Sequence, residues 1–162
     1  MIAARKHRLN EEAYTGHVTV AFTACLADRT KLLATPKNVE PLLDILKISV
    51  LQHDCTVPIY CFMPDHAHLV LRGSSASSSV KAAIEVFKKR SGRWLRYNRP
   101  GIRWQKGYWD HVVWPDSDWS EQVRYIAANP CRKGLVDDAL AWPFTGSLGH
   151  KVQDILVEAI VR

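Results

Sequence analysis

Residues 57–73, VPIYCFMPDHAHLVLRG, leave this chain few ways to fold. Two apolar runs of strand length flank Pro64-Asp65, so they read as a hairpin of strands over 57–63 and 66–73 joined by a tight turn. Side chains alternate across a strand, which puts His66 and His68 on one face and Ala67, Leu69 and Leu71 on the other. That second face has to be covered by something apolar. The histidines admit two readings on the residues alone. They can grip one metal ion, or they can be two half-exposed polar residues on the far side of a core strand.

The segments around the hairpin supply the cover. HVTVAFTACL (17–26) alternates and is rich in β-branched residues, as a strand does. In residues 36–54, Val39, Leu42, Leu43, Leu46, Val50 and Leu51 recur at helical spacing, with Pro41 expected near the first turn. GSSASSSV is a flexible connection into a second helix from about Ser79 to Tyr97, with Ile84, Phe87 and Trp94 toward one side. WQKGYWDHVVW (104–114) reads as a fourth strand weakened at Gly107, and residues 116–129 as a third helix capped by Asp116 or Ser117. Strand–helix–strand–strand–helix–strand is the split βαβ (βαββαβ), ferredoxin-like arrangement, an α+β fold with one antiparallel sheet and two helices on one face. The face with His66 and His68 is then the open one, free for chemistry or for the third helix to cover.

Bulk properties narrow the class. A chain of 162 residues is expected to form one domain over 1–162, with a core about 17–135 and a C-terminal tail 136–162. No run approaches about 18 consecutive apolar residues, so no membrane span is expected. The N-terminus lacks the apolar stretch of a signal peptide. Four cysteines without a C-x-x-C spacing argue against a zinc ribbon or disulfide scaffold and fit a reducing cytoplasm. The net charge of +6 is concentrated. Between Lys81 and Lys106 stand Lys81, Lys88, Lys89, Arg90, Arg93, Arg96, Arg99, Arg103 and Lys106, against the single acid Glu85. Most charge runs are solvated helix faces, but those mix signs to gain i,i+4 pairs and this one hardly does. Interleaved with Trp94, Tyr97 and Trp104, it fits a surface that tracks phosphates and stacks bases.

On the third helix, Trp119, Val123 and Ile126 form a packing stripe, and Glu121, Tyr125 and Asn129 a second row at i, i+4, i+8. That row can aim a tyrosine and an amide at the sheet. Equally, a tyrosine beside a packing stripe can simply cover the core edge. Pro130 biases Asn129 away from helical dihedrals, so the helix is expected to end there.

Four segments in this order, YCFMPDHAHLVL, WQKGYWDHVV, YIAANPCRKGLV and AWPFTGSLG, resemble the REP-associated tyrosine transposases, within the single-tyrosine HUH (histidine–hydrophobic–histidine) transposases and nucleases. The resemblance runs from about His17 to Gly149. Ala67 is a small hydrophobic centre for the motif, and Asp65 stands where asparagine is frequent. The resemblance implies His66 and His68 as metal ligands with Asn129 as the third, and Tyr125, on the additional helix, as nucleophile. It implies a divalent ion, Mg2+ or Mn2+, and a single-strand DNA endonuclease and strand transferase acting on REP-like palindromic hairpins through a 5′-phosphotyrosine. Lys81, Lys88, Lys89, Arg90, Arg93, Arg96, Tyr97, Arg103 and Lys106 are the expected DNA contacts. No membrane partner is expected, and homodimer and monomer both stay open.

Two rivals remain at this level. One is a non-catalytic single-strand-binding module that presents its sheet to nucleic acid, as RNA-recognition folds do. The other is a zinc hydrolase using His66, His68 and His111.

Overall fold

A computed structural model describes residues 9–115 and 117–161 of the chain. Five strands, β1 (Thr19–Cys25), β2 (Cys55–Met63), β3 (His66–Gly73), β4 (Trp109–Val112) and β5 (Thr145–Leu148), pair in the order β4-β1-β3-β2-β5. All four pairings are antiparallel. Because β3 runs against both β1 and β2, those two are parallel, and α1 (Pro36–Gln52) joins them across it. Strand β1 in the same way separates β3 from β4, which α2 (Val80–Asn98) connects. This is the expected ferredoxin-like core. The hairpin closes as expected, with Met63 opposite His66 and only Pro64-Asp65 between them.

The sheet has a core on each side. On one, Ala67, Leu69 and Leu71 pack with Val39, Leu42, Leu46 and Val50 of α1 and with Ile84, Phe87 and Leu95 of α2. Both helices bury one stripe at three- and four-residue spacing. Helix α1 starts on Pro36, whose missing N–H costs nothing at the first helical position. Pro41 lies beyond that first turn, inside the helix. On the other side, Ala21, Ile59, Cys61 and Val70 pack with Trp119, Val123 and Ile126 of α3 (Ser117–Arg132) and with Ile155 and Ala159 of α4 (Val152–Val161). The expected open face is therefore closed. Its cover is α3, which the sequence left as one option, together with α4, which it did not reveal.

Three boundaries differ from the sequence reading. The fourth strand is short, Trp109–Val112, because Gly107 takes φ 80° and breaks the extended run. Trp104 is instead buried, bridging to Leu26 and donating its indole N–H to Ser91 Oγ at 2.9 Å. Helix α3 runs through Pro130 to Arg132 rather than ending at Asn129. Residues 136–162, expected as a tail, hold β5 on the free edge of β2 and α4 against α3. The proposed cap at Asp116 lies outside the described residues. Among the described residues, no helix is long and apolar enough to cross a membrane.

Candidate active site

His66 and His68 are buried, at 7% and 8% exposure, so both rings have fixed partners. Asp65 accepts a hydrogen bond from His66 Nδ1 at 2.6 Å. A carboxylate there keeps the proton on Nδ1 and leaves Nε2 as a bare lone pair. Strand register places Thr23 opposite His68, and its Oγ1 is 3.1 Å from His68 Nδ1. The two Nε2 atoms then face each other at 3.1 Å, with the rings edge-on.

Helix α3 brings two more groups to this point. Asn129 is 3% exposed, and its Nδ2 lies 2.7 Å from His68 Nε2. Tyr125, one turn earlier, is 46% exposed, and its ring stands edge-on to His68 with centroids 6.0 Å apart. Pro130 cannot donate to the Ile126 carbonyl, but the helix continues because the Lys133 N–H bonds Asn129 O at 3.1 Å. It then stops where Gly134 turns left-handed at φ 69°. The N–H groups of Gly134 and Leu135 bond the carbonyls of Cys131 and Pro130, each at 2.9 Å. That extra turn lets the Arg132 guanidinium lie 4.6 Å from the centre of the Tyr125 ring.

The electrostatics keep both rings neutral. Burial pushes the His68 pKa down to about 3, with the charges of His66 and Arg29 adding to the shift. For His66, burial lowers the pKa first, Asp65 raises it, and Arg29 and Lys133 lower it further, leaving it below the ordinary value. Burial would raise the Asp65 pKa. Its hydrogen bond and charge pairing with His66 and with Arg29 outweigh that and hold it low.

A folded state that resists protonating His68 loses stability as the pH falls. An unfolded histidine takes a proton near about pH 6.5, whereas the folded one holds off until about 3. Between those values the unfolded chain binds more protons, so stability rises with pH across the window. Thermal melts in chelator should drop between pH 7 and pH 4.5, and drop less for His68→Gln. An equal drop in the variant would remove His68 as the cause.

The donor set fits a divalent cation. Two neutral imidazole nitrogens converge on one point, and a half-turn about the Asn129 Cβ–Cγ bond presents Oδ1 there in place of Nδ2. Among the described residues, no cluster of three His, Cys, Asp or Glu forms a metal-holding group. His111, the third ligand of the zinc-hydrolase reading, is instead exposed on β4 and bonds Gln122 Oε1 at 2.8 Å. The reading as an open sheet platform fails too, because α3 and α4 cover that face.

The basic segment lies apart from this site, since α2 packs on the opposite face of the sheet. Lys81 is ion-paired with Glu11, and Lys88 donates to the carbonyls of Gln105, at 2.8 Å, and Gly107. Lys89, Arg90, Arg93, Arg96 and Tyr97 are exposed, with Arg93 over the Tyr97 ring at 5.9 Å. Arg103 and Lys106 are exposed on the loop before β4, which hydrogen-bonds to the Cys25 end of β1 and so lies nearer the histidines. Sequence reasoning missed Thr23, Arg29, Arg132 and Lys133. The last stands four residues beyond Asn129, a spacing visible only if the helix is carried past Pro130.

Known proteins resemble this chain in sequence and, in one solved case, in fold. A Haemophilus influenzae protein named as a REP-associated tyrosine transposase is 26% identical over 136 residues, 76% of each chain. The REP-associated tyrosine transposase of Escherichia coli K12 is 23% identical over 126 residues, 76% of this chain and 73% of that one. A solved REP-associated tyrosine transposase bound to a REP hairpin superposes with a TM-score of 0.73 at 22% identity, covering 87% of this chain and 81% of its own. The profile of the transposase IS200-like family matches residues 15–128, well over half of the sequence, and the chain belongs to that family.

Proposed function

We propose that the chain is a metal-dependent single-strand DNA endonuclease and strand transferase that acts on REP-like palindromic hairpins through a 5′-phosphotyrosine. The observation that carries this reading is the delivery, by one helix, of Tyr125 and Asn129 to His66 and His68. The similarity to REP-associated relatives, one of them solved on a REP hairpin, supports the choice of substrate.

His66, His68 and Asn129 would hold the ion, magnesium or manganese. When bound, it supplies charge neutralisation for the phosphate oxygens and the departing oxygen. Asp65 keeps His66 in the tautomer that leaves Nε2 free, and Thr23 does the same for His68 by accepting from Nδ1. Tyr125 Oη attacks phosphorus, the bond to the 3′-oxygen breaks, and the phenolic proton is lost while the 3′-oxygen gains one. One phosphodiester is exchanged for another, so a second 3′-hydroxyl can reverse the step and join strands without ATP. Four free cysteines and the DNA substrate favour work in the cytoplasm.

The test is a labelled hairpin oligonucleotide incubated with protein and Mg2+ or Mn2+, then run on a denaturing gel. A protein-bound label that chelator prevents is the expected result. Binding without any adduct, under either ion, would reduce the protein to a DNA-binding domain.

The exposed cations of α2 would track DNA away from the cut. Replacing Lys89, Arg93 and Arg96 together with Gln should flatten the plot of log K against log[salt] by roughly 0.7 for each phosphate no longer neutralised. A slope unchanged in the triple variant would make that face merely solvated.

A further inference from the structure

Arg29 stands beside the histidine pair on a backbone that side chains rarely adopt. It and Asp28 are consecutive left-handed residues, at φ 52° and 60°. The turn they make after β1 brings the Arg29 guanidinium to Asp65, with Nε 2.9 Å from Oδ2 and Nη1 donating to Cys25 Sγ at 3.1 Å. The other oxygen of Asp65 holds His66. One carboxylate thus links the arginine to the histidine, and both of its oxygens are in use. The Arg29 side chain nevertheless stays 50% exposed. A guanidinium has five N–H donors in a planar fork, so an outer edge remains to meet solvent or an anion.

Lys133 follows the end of α3, four residues beyond Asn129. Its N–H bonds Asn129 O at 3.1 Å and closes the last turn of α3, its side chain is exposed, and its charge helps lower the His66 pKa. Here the helix ends, and a helix C-terminus carries a partial negative charge, which by itself repels an anion. Lys133, and Arg132 over the Tyr125 ring, reverse that sign locally. The Arg29 turn reaches His66 through Asp65, and this end of α3 carries Tyr125 against His68, so a phosphodiester that meets both Tyr125 and His66 lies beside each. The cations of α2, on the far face of the sheet, are out of reach.

Building on the proposed tyrosine chemistry, we infer that Arg29 and Lys133 form the clamp for the scissile phosphate. Arg29 is held ready by Asp65 and supplies the fork, while Lys133 supplies a point charge at the helix end.

The test uses full-length protein and a hairpin whose cut position has been mapped from the wild-type adduct. Equilibrium binding is measured in the Tyr125→Phe background, which prevents cleavage, on two substrates. One is native, and the other carries a neutral methylphosphonate at the scissile linkage. Adding Arg29→Gln or Lys133→Gln should weaken binding of the native strand about tenfold and of the methylphosphonate strand less than about twofold. Arg29→Lys, which keeps the charge and loses the fork, should recover part of the loss. Equal losses on both substrates, or no loss on either, would overturn the clamp, and melting curves of the same variants report whether folding is intact. A wild-type protein that forms no adduct at Tyr125 fails at the mapping step. It overturns the parent reading first and this inference with it.

Discussion

Tyr125→Phe should keep the fold and the DNA affinity of the parent chain while losing the covalent adduct completely. The change deletes one oxygen from a side chain that is 46% exposed and leaves its ring against His68 and Arg132. A surface change of this kind shifts stability by no more than about 0.5 kcal/mol. Among the described residues, no other tyrosine ring stands against the histidine pair. Tyr14 is fully buried, its pKa raised by burial and by the Asp110 carboxylate it donates to. Tyr60 is held up by burial, Tyr108 is buried, and Tyr97 lies exposed on α2, across the sheet. The measurement is the denaturing gel with the labelled hairpin. Adduct persisting in the variant would move the nucleophile elsewhere, with Tyr97 the first to examine.

His66→Ala and His68→Ala should each abolish cleavage, by at least about a thousandfold, as chelator should for the wild type. Unlike Tyr125→Phe, these changes also cost stability. Removing the His66 ring strips Asp65 of one partner, and removing His68 leaves Thr23 and the buried Asn129 amide without theirs. A buried polar group left unsatisfied costs about 1–3 kcal/mol. Both variants should therefore melt earlier than Tyr125→Phe. Single-turnover cleavage and melting curves on the same preparations separate the two effects. Full cleavage in excess chelator would eliminate the metal.

The histidine pair, the tyrosine–asparagine row and the order of the first four strands were legible because each depends on local periodicity. Alternation puts His66 and His68 together, and a four-residue step puts Tyr125 over Asn129. What was hidden depends on neighbours distant in sequence. Thr23 reaches His68 only through the register of β1 on β3. In β5, TGSL has no alternation of its own and becomes a strand because the edge of β2 offers partners. The burial of the histidines follows from α3 and α4 closing the second face, which no hydrophobic pattern in β3 announces. Pro130 signalled a helix end and was overridden, since the following turn finds its bonds through Lys133 and Gly134. The charge of α2 was plain, but the number of its cations says nothing about which side of a sheet a helix will take.

The two hydrophobic layers are unequal, and the helix that carries the proposed nucleophile is held by the lesser one. The larger cluster ties α1 and α2 to the sheet, while the smaller holds α3 and α4. Segments that bury less apolar surface open at lower free energy than the rest of a domain. Tyr125, the proposed nucleophile, and Asn129 ride together on α3, so a partial opening takes both away at once and leaves the sheet with its first two helices standing. The proposed cleavage is thus expected to be lost before the fold is.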